Sequence, residues 1–370
     1  MRVTIDIQAA IAQRAGVGRY TKLLVEHLGP LAGSDELGLF YFDFQRKGIP
    51  FPAAGARQQA VRWCPGRFVQ KAWKTLNFPP FDWFAGAADV YHFPNFIRPP
   101  LTRGKSVVTI HDVSFLRFPE TTEERNLRYL TAQIRRTVEL ADAIVTDSEF
   151  VAREIGELLG TPRDKIFPIP LGLSASMTRP SAESIAGTRK ALGLQRPYLL
   201  MVGTIEPRKN IPFLINVFER LDSFDGDLVI AGMRGWKYEP ILDRMRNSPK
   251  AARIRHLDYV EEASLPGLYA GAELFVFPSL YEGFGFTPLE AMACGTPVLS
   301  SKTGSLAEVL GDAAVLVDSF DADTWAAQAI RLLADTTRKA DLGSRGTRQA
   351  SRFRWETAAE ETWKIYRRLA

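Results

Sequence analysis

Glu282 and Glu290 stand seven residues apart in the stretch SLYEGFGFTPLEAMACGTPV (279–298), one on each side of a loop that runs into a helical pattern. Gly283 and Gly285 let the backbone approach a ligand closely, just ahead of a helix N-terminus whose free N–H groups and positive dipole end favour phosphate. Ionised carboxylates only accept hydrogen bonds, so acids flanking such a turn need donors of their own. Sugar hydroxyls are natural ones. A diphosphate in the middle with a sugar at each end, one acid for each, satisfies the pattern. Locally, Thr287-Pro-Leu-Glu290 also matches a capping box, with Thr287 as N-cap, Pro288 at the first helical position and Glu290 bonding back to the cap. On the sequence both readings of Glu290 stand.

A second anion signal is GTIEPRKN (203–210). An apolar strand ends at Gly203 and a helix is predicted to start with Asn210 as N-cap, which puts Arg208 and Lys209 at the carboxyl edge of a sheet. Arg offers a planar fork and Lys a point charge to a pyrophosphate; an ordinary solvated loop pair is the plain alternative. The Gly-Lys-Ser/Thr ending of a P-loop is absent. In RAGVGRYTKLL (14–24), Gly16 and Gly18 supply the first part of a dinucleotide fingerprint, but Thr21 stands where the third glycine belongs and the preceding strand is too far away. That pattern suits a mobile loop near a ligand better than a nicotinamide site. In TIHDVSF (109–115), His111 and Asp112 end a strand; they suit substrate orientation or proton transfer, or a hydrogen-bonded His near the core.

The elements that must hold these residues read as strand and helix in alternation. Strand-like runs fall at 2–7, 37–44, 88–93, 106–112 and 143–148, with helical patterns at about 17–29 and 120–141. A Pro/Ser/Gly-rich stretch, 165–184, reads as a linker. A second series follows at 198–204, 227–233, 254–260, 273–279, 297–301 and 313–318. Short buried strands alternating with helices indicate parallel βαβ units, and 370 residues are too many for one ordinary core. The prediction is an α/β chain of two doubly wound domains, with ligands at the carboxyl ends of the strands. The last segment, 354–370, is a helix anchored by Trp355, Trp363 and Tyr366.

Composition narrows the class. An apolar share of 46% and a charged share of 24% are those of a globular protein. The opening MRVTIDI reads as a strand rather than a signal peptide, and no apolar run is long enough to span a membrane. Cys64 and Cys294 are too few and too distant for a disulfide framework and read as reduced cytosolic thiols. The four histidines lack metal-ligand spacing. A net charge of +5 suits an anionic partner.

Together these residues resemble the retaining, nucleotide-sugar-dependent glycosyltransferases of family four, which have the GT-B fold: two Rossmann-like domains facing across a cleft. The signature is Glu282, seven residues, then Glu290, supported by VGTIEPRKN, AGVGRY and ADAIVTDSEF. The resemblance covers essentially the whole chain and is strongest from 198 to 318. It implies an acceptor domain over 1–172, a donor domain over 173–354, and a C-terminal helix (about 355–370) returning to the first domain. By position it implies that Arg208 and Lys209 neutralise the donor diphosphate, that Glu290 accepts from ribose hydroxyls, and that Glu282 with the Phe284 and Gly285 amides holds the donor sugar. The Phe286 and Thr287 amides would help with the phosphates. Gly16 and Gly18 would lie near diphosphate and acceptor, His111 would be the active-site His, and Met233, Arg234, Tyr259 and Val260 would surround the base. Neither a metal nor any cofactor beyond the donor is expected, and a front-face reaction with retention is implied.

The donor expected is GDP-mannose, on similarity to bacterial mannosyltransferases in IDIQAAIAQRAGVGRYTKLLVEHL and VTIHDVSFLRFPE; UDP-glucose and UDP-N-acetylglucosamine stay open. Competing readings are a sugar-nucleotide 2-epimerase on the same frame, a binding protein, and a nicotinamide enzyme using the Gly16–Gly18 turn, which Asp43 near the end of the second strand would favour. Partners expected are a sugar or lipid-linked acceptor and no nucleic acid. Basic residues interleaved with aromatics in 62–84 suit anionic lipid, or an irregular helix packed on its own domain. A cytoplasmic protein, peripheral on the inner face of the plasma membrane if that segment binds lipid, follows.

Overall fold

The computed structural model describes residues 1–12, 16–49, 51–52 and 54–370. Arg14 and Ala15 of the glycine motif lie outside them. The apolar runs form two all-parallel sheets. The first holds β1 (Arg2–Asp6), β2 (Glu36–Phe42), β3 (Arg57–Val61), β4 (Val90–Phe93), β5 (Lys105–Ile110), β6 (Ala143–Thr146) and β7 (Ile166–Pro168) in the order β3-β2-β1-β4-β5-β6-β7. The second holds β8 (Tyr198–Val202), β9 (Asp227–Ala231), β10 (Ile254–Leu257), β11 (Leu274–Phe277), β12 (Val298–Ser301) and β13 (Val315–Val317) in the order β10-β9-β8-β11-β12-β13. Register is regular, with Val3 facing Leu37 on one side and Val90 on the other. In the second sheet Leu200 faces Val229 and Phe275. Central strands such as DLVIA and AIVT are buried along their whole length, because helices cover both faces of a parallel sheet.

Two strands escaped the sequence reading. β3 is the polar edge RQQAV, which carries no apolar alternation. β7 is three residues long and lies inside the stretch read as a linker, where the helix Ala182–Ala191 also begins. Polar edges and very short strands give periodicity little to act on.

By contact the chain divides into two compact units: Met1–Arg117, Glu124–Gly172 and Arg354–Ala370 form one, Phe118–Glu123 and Leu173–Phe353 the other. The segment 118–123 was read as part of the first domain. It packs with the second unit because Trp236 Nε1 donates to Thr121 O at 2.6 Å, Lys237 Nζ donates to Glu120 O at 2.6 Å, and the Phe118 ring meets Tyr281.

The C-terminal helix Trp355–Leu369 belongs to the first unit and is held there by polar as well as apolar contacts. Tyr366 is fully buried and its Oη lies 2.6 Å from Nδ1 of His92 on β4. Nε2 of His92 meets Thr109 Oγ1 at 2.8 Å, and that hydroxyl meets Tyr20 Oη at 3.0 Å on the helix Val17–Leu28. Burial pushes the His92 pKa down to about 3, so the ring is neutral at physiological pH. One buried chain of hydrogen bonds thus joins the last helix to the helix that opens at Gly16.

Gly172 fixes the point where the chain leaves the first unit. A Cβ there would come within 2.1 Å of Trp355 N and 2.5 Å of Arg354 C, both backbone atoms with little room to yield. Gly172→Ala is expected to destabilise the protein by about 2 kcal/mol or more, read as a lower denaturant midpoint; an unchanged midpoint would show that the backbone there adjusts freely.

Candidate active site

Sheet order reverses at β8, which lies between β9 and β11, so the loops leaving β8 and β11 open at a switch point. Backbone and hydroxyl bonds stitch the two loops together. Leu280 N donates to Arg208 O at 2.8 Å, and Ser279 Oγ donates to the same oxygen at 3.2 Å. Arg208 and Lys209 sit on a single 3-10 turn, Pro207–Lys209, which the proline at its start predisposes. Asn210 follows in the left-handed conformation (φ 54°) and its side chain makes no cap bond to the helix Ile211–Glu219. The sequence reading had it as a capping residue. Its part is to turn the chain from one helix into the next.

Around the two cations is a closed cluster. Lys209 Nζ lies 2.6 Å from Glu282 Oε1 and over the Phe277 ring at 5.0 Å. Arg208 Nη1 lies 3.1 Å from the same carboxylate oxygen and donates to Tyr281 O at 2.7 Å. Arg208 Nη2 donates to Glu206 Oε1 at 2.7 Å, and Ser279 Oγ to Glu282 Oε1 at 2.5 Å. Lys209, Arg208 and Ser279 all take Oε1 of Glu282. Burial alone would push this carboxyl up, but the Lys209 and Arg208 charges and the donated hydrogen bonds bring it down to about 2. Glu282 is therefore ionised throughout the physiological range. Glu206, nearly fully buried, was quoted in its motif but given no part; its signal was a carboxylate two residues before the cation it holds.

The backbone that carries Glu282 is crossed closely by Gly304, where a Cβ would stand 2.4 Å from Glu282 O, and Ser305 donates to that oxygen from both N and Oγ. The following turn differs from the capping box. The helix is Phe286–Ala293, with Gly285 (φ 97°) at its N-cap position, two residues before Thr287. Thr287 lies in the first turn with its hydroxyl buried and without a hydrogen-bond partner. Glu290 is 1% exposed, and its Oε2 accepts from Tyr269 Oη at 2.8 Å. The structure thus gives the two acids different company: Glu282 meets two cations, Glu290 a phenol.

The other predicted positions fall as follows. Gly203 ends β8, where it packs along the Lys209 stem. Met233 and Arg234 leave β9 beside the β8 loop: Ile205 N donates to Met233 O at 2.9 Å, and Arg234 lies 3.8 Å from Asp258. Tyr259 and Val260 follow β10, with Tyr259 exposed. Gly283 and Phe284 are buried, the Phe284 ring lying against Phe286 and Phe353. All of these belong to the second unit, and among them Arg208 and Lys209 meet Glu282 through charged contacts.

In the first unit, Gly16 takes a left-handed φ of 59° at the N-cap of the helix Val17–Leu28, and Gly18 is buried inside it. His111 follows β5, but its partner is Asp147 rather than the neighbouring Asp112. Nδ1 lies 2.8 Å from Asp147 Oδ2 and Nε2 3.0 Å from Pro94 O, while Tyr20 and Phe96 pack against the ring. Asp112 instead accepts from Ser114 N and Oγ. Burial pushes the His111 ring down, yet Asp147 and the Pro94 carbonyl outweigh it and raise its pKa. Both ring nitrogens of His111 are thus engaged within the first unit. Asp43 accepts from the amides of Lys47 and Gly48 and pairs with Arg62 at 3.4 Å, which makes it an organiser of its loop.

Both cysteines are unpaired. Among the described residues no three His, Cys, Asp or Glu side chains gather in a metal-holding group, and no helix is long and apolar enough to cross a membrane.

Comparisons with known proteins place this geometry. Residues 187–349 match the family model for glycosyl transferases group 1, and residues 15–176 that for glycosyltransferase family 4. The chain is 32% identical over 375 residues to the O-antigen chain mannosyltransferase B of Escherichia coli, covering 96% of each protein. In structure it is similar to the sucrose-phosphate synthase of Thermosynechococcus elongatus, with a TM-score of 0.77 at 20% identity over 100% of this chain and 99% of that one. It is also similar to HepE of Anabaena, solved with UDP and glucose, with a TM-score of 0.74 at 18% identity over 99% of both. The fold is the two-domain GT-B α/β architecture of the glycosyltransferases. Within that class, the chain belongs to family four.

The Glu282 cluster predicts a specific pH dependence. Its folded pKa is depressed, so the stabilisation is present above the unfolded value of 4.5 and is lost as pH falls towards 2. The wild type should exceed Glu282→Gln in unfolding free energy by about 3 kcal/mol at neutral pH. That gap should close between about pH 4.5 and 2. Denaturant titrations of both proteins across that range measure it, and a gap independent of pH would mean that the carboxylate charge is not what the cations hold.

Proposed function

We propose that this chain transfers a mannosyl residue from GDP-mannose to a sugar or lipid-linked sugar acceptor in the assembly of a bacterial surface polysaccharide, without a metal and with retention at the anomeric carbon. The observation that carries the reading is the cation pair at the switch point, held by Glu282 in the loop that leads into the helix Phe286–Ala293. The mannosyl and polysaccharide parts are supported by identity to the Escherichia coli O-antigen mannosyltransferase over nearly the full length of both chains.

The chemistry follows from what each group has left to give. An ammonium carries three N–H donors, and Glu282 engages Lys209 through one oxygen, so the cation can meet a phosphate without abandoning its acid. Arg208, braced by Glu206 and the Tyr281 carbonyl, presents its guanidinium from a fixed direction. The positive end of the helix Phe286–Ala293 and the unpartnered Thr287 hydroxyl add to what a diphosphate would meet. Glu282 Oε2, to which none of the three donors is directed, suits a hydroxyl of the donor sugar, and Glu290 with Tyr269 suits the ribose. Positive charge at the leaving group takes over what a divalent ion does elsewhere.

In the step itself, the bond from the anomeric carbon to the diphosphate oxygen breaks and the acceptor hydroxyl oxygen bonds to the same face of that carbon. The acceptor proton passes to the departing phosphate oxygen, and GDP leaves. The transition state has oxocarbenium character, and no protein nucleophile is required.

Lys209→Ala or Arg208→Ala is expected to lower turnover by about a hundredfold or more. Near-normal turnover in both folded variants would remove the diphosphate assignment. GDP and GDP-mannose should raise the melting temperature, since a ligand that binds only the native state stabilises it; a larger shift with UDP-glucose would move the donor to uridine. NMR of the product should show the donor's anomeric configuration, and an inverted product would reject the front-face step. Turnover of donor to an isomer without any acceptor would point to the epimerase reading.

A further inference from the structure

A cleft of about 740 Å³ lies in the second unit, within the size range of small-molecule sites. Its lining includes Glu273, the residue before β11, and Pro297, the residue before β12. It therefore sits at the amino ends of the strands, whereas Arg208, Lys209 and Glu282 follow carboxyl ends. The helix Phe286–Ala293 spans the distance: it starts after the Glu282 loop and is followed by Cys294 and Gly295, the second of which lines the cleft.

Three cations and one acid line it: Arg179, Arg189, Lys339 and Glu273. Lys339 Nζ donates to Glu273 Oε2 at 2.7 Å, so these two answer each other. Backbone carbonyls hold the guanidiniums. Arg179 Nη1 donates to Cys294 O at 3.2 Å, while Arg189 donates from Nε to Leu194 O at 3.3 Å and from Nη2 to Arg196 O at 3.0 Å. A carbonyl accepts a hydrogen bond but has no net charge to give, so both guanidiniums keep theirs. Basic residues exceed acidic ones by five in the whole chain, and this one cleft takes two of that excess. Its walls are short. Ala182, Ile185 and Ala186 of the helix Ala182–Ala191 form one side, and Gly343 and Thr347 of the helix Thr336–Ala350 belong to another. Gly295 (φ 75°) leaves space for Arg179, since a Cβ there would stand 3.3 Å from Arg179 Nη1.

We propose that this cleft binds a small organic phosphate, with Arg179 and Arg189 on its anionic groups and its carbon skeleton against Ala182, Ile185 and Ala186. A guanidinium matches a phosphate with parallel N–H donors, and small apolar walls admit a compact skeleton between the charges. Arg179 precedes the helix Ala182–Ala191 and Arg189 lies in its last turn, so the two cations stand near opposite ends of an element about 15 Å long. A ligand with two anionic groups engages both, and one with a single group engages one. The site is separate from the Glu282 cluster, and the inference does not depend on which donor that cluster takes.

The test is calorimetric titration of the full chain with fructose 1,6-bisphosphate, inorganic phosphate and fructose, each with and without saturating GDP. The bisphosphate should bind about tenfold or more tightly than inorganic phosphate, because it gains a second charge-assisted contact. Fructose should give no heat, and GDP should leave the bisphosphate affinity unchanged. Arg179→Gln should weaken bisphosphate binding by about tenfold or more while keeping a cooperative thermal transition, which shows that it is folded. Lys209→Ala should leave that affinity as it is in the wild type. No binding of the bisphosphate, or equal binding by the wild type and Arg179→Gln, would overturn the proposal. So would bisphosphate binding that GDP displaces or that Lys209→Ala abolishes, since the probe would then occupy the Glu282 cluster.

Discussion

A carboxylate withdrawn from water must have its charge answered, and in this chain that requirement organises the switch point of the second sheet. Glu282 is nearly buried, and its Oε1 is met by Lys209, Arg208 and Ser279 at once. Satisfying one oxygen from three directions fixes the turn after β8 against the turn after β11, because the cations come from one and the acid and hydroxyl from the other. Glu206 then balances Arg208. Two acids and two bases make the cluster neutral as it stands. Its N–H groups are held in fixed directions in a nearly buried setting.

The first unit spends its buried polar groups differently. His92 and His111 each have both ring nitrogens occupied, but their environments move their pKa values in opposite directions. His92 lies between two hydroxyls, with nothing to offset burial, and stays neutral. His111 faces a carboxylate and a carbonyl, and its pKa rises. The same side chain thus serves as a neutral link between helix and sheet in one place and, in another, as the hydrogen-bonded neighbour of a carboxylate that favours its protonated form.

Much of the fold was legible because a covered parallel strand announces itself as an apolar run; eleven of the thirteen strands came from that signal alone. β3 and β7 did not, being a polar edge and a three-residue strand. In the site, the place of Arg208 and Lys209 at the end of a strand was readable from loop position; that Glu282 meets both cations was not, since its expected donors were sugar hydroxyls. The Asp147 partner of His111 was not, since it stands 36 residues away and only the pairing of β5 with β6 brings them together. The sequence neighbour Asp112 was the natural choice and is taken up by Ser114. The capping box failed for a related reason: a glycine able to adopt φ 97° starts the helix earlier than the residue with the better capping side chain.

Leu173 and Phe353, the first and last residues of the long segment that forms most of the second unit, are joined by a hydrogen bond from Leu173 N to Phe353 O at 3.1 Å. That segment is therefore a cassette whose two ends meet, spliced into a host chain at a single seam. A different cassette with the same end spacing could be grafted at that seam without rethreading the host's seven strands. The hydrogen-bonded run from Tyr20 to Tyr366 would stay untouched by such an exchange.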